Sequence, residues 1–195
     1  MTIIMPKKIL WKDTDISSIQ QFIKKKQGAA DNEIRKKNCR TRIIRTYLKS
    51  LVDKEKITCN FRLVDLFCGD AIIITYLKKY FKTAEIIGVD INRFDTHEEA
   101  KKSGVEIKYK YVQKYIKTRR EKIDVLLMLN TYRNYSLSGM TKREFDKINK
   151  WMLKTCRHAI ITAKNIKRIK KYGFKPLIIG KGEGNSMMID LKGVE

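Results

Sequence analysis

After Asn60 the chain alternates between strand-length apolar runs and helical patterns, and that alternation leaves few architectures open. RLVDLF (62–67), EIIGVD (85–90), VEIKYKY (105–111), KIDVLLMLN (122–130) and HAIITAK (158–164) read as five strands from their apolar or alternating texture. Helical spacing separates several of them. Ile73, Leu77 and Phe81 follow the first strand, a segment opened by Asp95 or Thr96 and closed at Ser103-Gly104 follows the second, and an amphipathic stretch headed by Thr141 precedes the fifth. NIKRIKKYG (165–173) reads as a short helix closed by Gly173, and FKPLIIG with NSMMIDL, joined by the turn KGEG, as a final hairpin. Parallel neighbours need helical crossovers, so the series predicts an α/β fold: a doubly wound, mostly parallel seven-stranded sheet with a C-terminal antiparallel hairpin.

Residues 1–60 have a different texture and read as a basic helical extension in front of a Rossmann-like domain over 61–195. Asp15 or Ser17 heads a helix through Ile19, Phe22 and Ile23. Asp31 heads a longer one, on which Ile34, Thr41, Ile44, Leu48 and Leu51 form one apolar stripe and Arg35, Lys36, Arg40, Arg42 and Lys49 occupy the other faces.

Charge narrows the partners. The 195 residues hold 44 Lys and Arg against 21 Asp and Glu, a net charge of +23. Such a surplus repels itself and is tolerated when a polyanion is the partner, which points to nucleic acid. Dense spots fall at Lys24-Lys25-Lys26, Arg35-Lys36-Lys37, Arg40-Thr41-Arg42 and within 167–171, spread along the chain as a folded basic face rather than a tail. No apolar run reaches the ~18 residues of a membrane span, and the first residues lack the pattern of an export leader. Cys39, Cys59, Cys68 and Cys156 stand far apart with no C-x-x-C pair and no paired His, which weighs against a metal site or a disulfide framework. The expectation is a cytoplasmic protein with no membrane or metal partner.

In doubly wound sheets ligands bind beyond the carboxyl ends of the central strands. Two motifs stand there: VDLFCGD (64–70) and, twenty-odd residues on, GVDIN (88–92). With the strand series and the closing hairpin, they resemble the class I S-adenosylmethionine-dependent methyltransferase family over about residues 61–195. The resemblance implies S-adenosylmethionine as cofactor. It places Asp65 toward the cofactor's ammonium group and the loop of Phe67, Cys68, Gly69 and Asp70 under its amino-acid part, where a glycine lets the backbone pass close. Asp90 would accept the ribose hydroxyls and Ile91 would lie against adenine. Tyr111-Val112 stand where the family usually has an acid on the adenine amino group, leaving that contact to backbone. Asn130 would open the loop that faces the methyl group. One departure is clear: Asp70-Ala71 occupy the place of the family's frequent second glycine. It keeps open a non-enzymatic nucleic-acid-binding protein on a degenerate scaffold. The absence of G-x-G-x-x-G after the first strand weighs against a nicotinamide site.

The loop after the fourth strand bears on the acceptor. It has no Pro-Cys nucleophile of the carbon-5 cytosine enzymes. Asn130-Thr131-Tyr132-Arg133 keeps the amide and the aromatic of an exocyclic-amine methyltransferase motif but neither of its prolines. In that reading Asn130 accepts from the amine and Tyr132 or Tyr135 stacks on a base. Against the Lys-Asp-Lys-Glu set of ribose 2′-oxygen enzymes, Lys164 and Glu183 match the last two positions by topology, and Asn130 replaces the acid. The expectation is a methyltransferase acting on nucleic acid, RNA ahead of DNA, with Asn130, Tyr132 and Lys164 as catalytic residues. A protein or small-molecule methyltransferase is the other enzymatic reading. His97 reads as solvent-facing and His158 as a strand-end residue, neither with a role.

Overall fold

The structure, a computed structural model, describes residues 39–118, 122–129, 140–163, 169–170, 172–181 and 186–192. The chain divides into two compact units at Arg35–Lys36, and every described residue lies in the second. Its centre is one seven-stranded sheet: β1 (Arg62–Leu66), β2 (Glu85–Asp90), β3 (Glu106–Tyr109), β4 (Ile123–Met128), β5 (Cys156–Ala163), β6 (Leu177–Lys181) and β7 (Met187–Asp190), in the order β3-β2-β1-β4-β5-β7-β6. The first five strands are parallel, and β7 runs antiparallel between β5 and β6. The expected sheet and its closing hairpin are therefore present.

Strands covered on both faces must be apolar at nearly every position. In β1, Leu63 joins the apolar layer on one face and Val64 and Leu66 the layer on the other, all of them fully buried. Val125 and Leu127 of β4 alternate in the same way with Leu126 and Met128. One layer is completed by helices α1 (39–53), α2 (Ile72–Tyr80) and α3 (Thr96–Lys102) through Ile44, Leu48, Leu51, Ile74, Leu77 and Ala100. The other is completed by α4 (Val112–Thr118) and α5 (Lys142–Thr155) through Val112, Tyr115, Phe145, Ile148 and Met152.

Thr141 starts α5 as the sequence predicts. Its hydroxyl accepts from the Glu144 amide at 3.2 Å while the Glu144 carboxylate accepts from the Thr141 amide at 2.8 Å, a reciprocal capping box. Helix α4 is an addition to the sequence reading. Its seven residues make two turns, too few for a period to show, and they include the β-branched Val112, Ile116 and Thr118.

Helix α1 is tied to the sheet by polar groups as well as by its apolar stripe. The Tyr47 hydroxyl donates to Asp190 Oδ2 at 2.8 Å, and His158 Nδ1 lies 2.7 Å from the same oxygen. Asp190, fully buried, also accepts from the amides of Ala159 and Lys192 at 3.0 and 3.1 Å. Four donors on one buried carboxylate satisfy it. His158 is the third residue of β5 and serves this anchor.

Candidate functional site

Leu66 pairs with Val89 across β1 and β2, so the loop leaving β1 and the acid ending β2 emerge side by side. The amides of Phe67 and Cys68 both donate to the Val89 carbonyl, at 2.8 and 3.2 Å. The loop then turns through three left-handed residues: Phe67 (φ 62°), Gly69 (φ 53°) and Ala71 (φ 56°). Glycine adopts this backbone freely, whereas each of the other two loses about 1–2 kcal/mol to its Cβ. Ala71, of the Asp70-Ala71 pair that departs from the resembled loop pattern, thus keeps a glycine-like backbone and buries its methyl group in the core.

The next strand and helix hold this loop in shape. Asp90 Oδ2 accepts from the Gly69 amide at 2.9 Å, and the Thr96 hydroxyl donates to the Asp70 carbonyl at 2.7 Å. His97 Nε2 lies 2.7 Å from the Gly69 carbonyl, and His97 Nδ1 lies 3.2 Å from the Tyr109 hydroxyl. A carbonyl only accepts, so Nε2 carries a proton and donates it to Gly69. His97 is fully buried, which corrects the solvent-facing expectation. Sequence reasoning missed both Thr96 and His97; the available signal was a Thr-His pair directly after the loop that follows the β2 acid.

Below the loop, Gly88 of β2 makes room for Cys68. A Cβ at Gly88 would lie 2.8 Å from Cys68 Sγ and from Ile74 Cδ1 and 3.0 Å from Ile107 Cδ1. Burial pushes the Cys68 thiol well up from its ordinary range, so it packs as a neutral group. Above the loop the situation is opposite. A Cβ on Gly69 would meet nothing within 4 Å, so the turn borders open space.

Two buried acids face each other here with different surroundings. Asp90 accepts from Gly69 through Oδ2 and from the Asn92 amide through Oδ1, also at 2.9 Å, and each oxygen retains further acceptor capacity. Asp65 is buried in the interior end of the same strand pair. Desolvation first, then the charges of Asp90 and Asp70, hold its pKa well above the ordinary carboxylate range. At the ends of β2 and β3, Ile91, Phe94 and Tyr111 are exposed, at 50%, 41% and 56%. Val112 turns its side chain into the core, leaving its backbone to the site.

The expected catalytic residues Asn130, Tyr132 and Lys164 lie outside the described residues, as do Arg133, Tyr135 and Glu183. Their root is described: the Thr162 hydroxyl of β5 donates to the Leu129 carbonyl at 2.6 Å, locking together the strand ends that lead into them. Among the described residues no group of three His, Cys, Asp or Glu could hold a metal ion, and no helix is long and apolar enough to cross a membrane.

No protein-family model matches the sequence, and no curated protein matches it. Solved structures do. The bifunctional kinase–methyltransferase WbdD superposes with a TM-score of 0.62 at 14% identity, over 79% of this chain and 39% of that one. The plantazolicin methyltransferase BpumL, solved in complex with SAH, gives a TM-score of 0.52 at 16% identity, over 76% of this chain and 55% of that one. The fold is that of the class I methyltransferases, as the sequence resemblance implied. This chain spans 40% of the length of WbdD in one of its structures and 55% of BpumL.

Proposed function

We propose that this chain is an S-adenosylmethionine-dependent methyltransferase whose acceptor is nucleic acid, RNA ahead of DNA. Asp65 carries the cofactor half of the reading. A buried carboxylate beside two other acids is unfavourable as an anion until a cation meets it, and the cofactor's ammonium group supplies one. The open space over Gly69 admits the amino-acid part, the spare acceptor capacity of Asp90 suits the ribose hydroxyls, and Ile91 and Tyr111 give adenine an apolar surface. When bound, the cofactor supplies an activated methyl group on a sulfonium.

The chain's own task is then alignment of the acceptor. Asn130 has one carbonyl acceptor and two amide donors, enough to orient an amine or hydroxyl and too weak a base to deprotonate it. Tyr132 stacks on the acceptor base. Lys164 could take a proton from a ribose hydroxyl only as a neutral amine, whereas an amine acceptor can lose its proton to water after transfer. Base nitrogen therefore fits this set better than ribose oxygen. The net charge of +23 supports the acceptor class.

Calorimetric titration with SAH tests the cofactor half, and transfer of labelled methyl groups to total RNA, DNA and protein tests the acceptor. Binding of SAH with label in RNA is expected. Absence of SAH binding would leave a nucleic-acid-binding module on this scaffold, and label in protein alone would replace the acceptor class.

A further inference from the structure

Helix α2 presents solvent with an apolar stripe on the side opposite its core residues. Ile72, Tyr76 and Tyr80, spaced four apart, are exposed at 42%, 47% and 47%, while Ile74 and Leu77 face the core. At about 1.5 Å of rise per residue, the two tyrosines stand ~6 Å apart along the helix axis. Arg45 of α1 reaches across to both. Its Nη1 donates to the Tyr76 hydroxyl at 3.1 Å, and its guanidinium carbon lies 4.9 Å from the centroid of the Tyr80 ring. Lys49 and Lys79 nearby are paired with Asp53 at 2.6 Å and Glu99 at 3.0 Å, and Asp70 lines the same hollow as Ile72 and Tyr76.

We propose that this α1–α2 face is a stacking surface for single-stranded nucleic acid. Tyr76 and Tyr80 offer rings to successive unpaired bases, and Arg45, which already reaches both, meets a phosphate. The inference rests on the nucleic-acid reading above and adds where and in what form the strand is gripped. Unpaired bases are required because a duplex hides the base faces that a tyrosine ring needs. A second copy of this chain is disfavoured as the occupant, since it brings the same +23 charge to the contact. The stripe begins at Ile72, directly after the Gly69 loop, so a strand lying along it leads toward the proposed site.

The test uses the full chain and a fluorescein-labelled twelve-nucleotide single-stranded RNA of mixed sequence, read by anisotropy beside its duplex. The double variant Tyr76→Ala/Tyr80→Ala is expected to bind the single strand about tenfold more weakly or worse. Its melting temperature and SAH affinity should match wild type, and Tyr76→Phe/Tyr80→Phe should restore binding. Arg45→Gln should flatten the dependence of log affinity on log salt by about 0.7, one phosphate contact on a single strand. Equal affinity of wild type and the alanine variant for the single strand would overturn the stacking surface while leaving methyl transfer to RNA intact. Tighter binding of the duplex, unchanged by the alanines, would overturn it too. Failure of wild type to bind any oligonucleotide at low salt, with SAH binding intact, would remove the nucleic-acid reading itself.

Discussion

The imidazole Nε2 of His97 lies 2.7 Å from the carbonyl oxygen of Gly69, so a residue 28 positions later in the chain fixes the peptide at the tip of the β1 loop. The amide of the same glycine is taken by Asp90, which leaves the Gly69 peptide clasped on both edges. With Thr96 on the Asp70 carbonyl, three side chains from the β2–α3 segment hold a turn that Phe67 and Ala71 would otherwise resist.

His97→Phe keeps the ring volume and leaves the Gly69 carbonyl without its donor, a loss of about 1–3 kcal/mol. SAH affinity should fall at least tenfold on calorimetry, and His97→Gln, which restores an N–H at similar reach, should recover most of it. Equal affinities across the three proteins would show that the loop holds its shape without this bond.

Asp90→Ala removes the acceptor for the Gly69 amide and the proposed partner of the ribose hydroxyls together. SAH binding should weaken by about 1.5–3 kcal/mol or more, the range for a charge-assisted hydrogen bond. Unchanged affinity in a folded variant would sink the assignment.

Asp65 makes stability depend on pH with a definite sign. Its native pKa lies above the ordinary value of 3.8, so between the two the folded state binds more protons than the unfolded one. Stability is therefore greatest below the ordinary value and falls as pH rises through the window toward the elevated native one. Asp65→Asn, which cannot ionise, should melt higher than wild type at neutral pH, with the gap closing as pH approaches 4. The same variant should bind SAH at least tenfold more weakly. A gap that stays constant with pH would contradict the burial of an ionisable group there.

Asn130→Ala should abolish most turnover while leaving SAH affinity within about tenfold, or ~1.4 kcal/mol. Lys164→Ala should have the smaller effect for a nitrogen acceptor and a comparable one for ribose oxygen. Full activity of Asn130→Ala on an identified substrate would move the catalytic loop elsewhere.

Tyr47→Phe removes one of four donors from the buried Asp190 and loosens the tie between α1 and the sheet. Urea denaturation should show a loss of about 1 kcal/mol. A variant as stable as wild type would mean that the apolar stripe of α1 anchors it alone.

The strands were legible because burial on both faces leaves an unmistakable apolar run, as in Val125 to Met128. Their ends were legible too, since Asp65, Gly69 and Asp90 fall where β1 and β2 stop or turn. The apolar stripe of Ile44, Leu48 and Leu51 was visible as a helix face, but what it packs on depends on residues over a hundred positions away, such as Met188. His97 was misread because THEEAKK is polar except for Ala100, and its bonds to Gly69 and Tyr109 make the buried position favourable. The raised pKa of Asp65 was hidden for a related reason: burial beside Asp90 and Asp70 is a property of the assembled neighbourhood.

The crowding at Gly88 ties the cofactor-side loop to the floor of β2. Side-chain ends from three separate segments stand 2.8–3.0 Å from the position a methyl group would take there, so any larger residue at 88 obliges Cys68 and Ile74 to turn aside. Because Cys68 belongs to the β1 loop itself, a bulkier residue at that strand position would be felt one layer up, in the turn through Gly69.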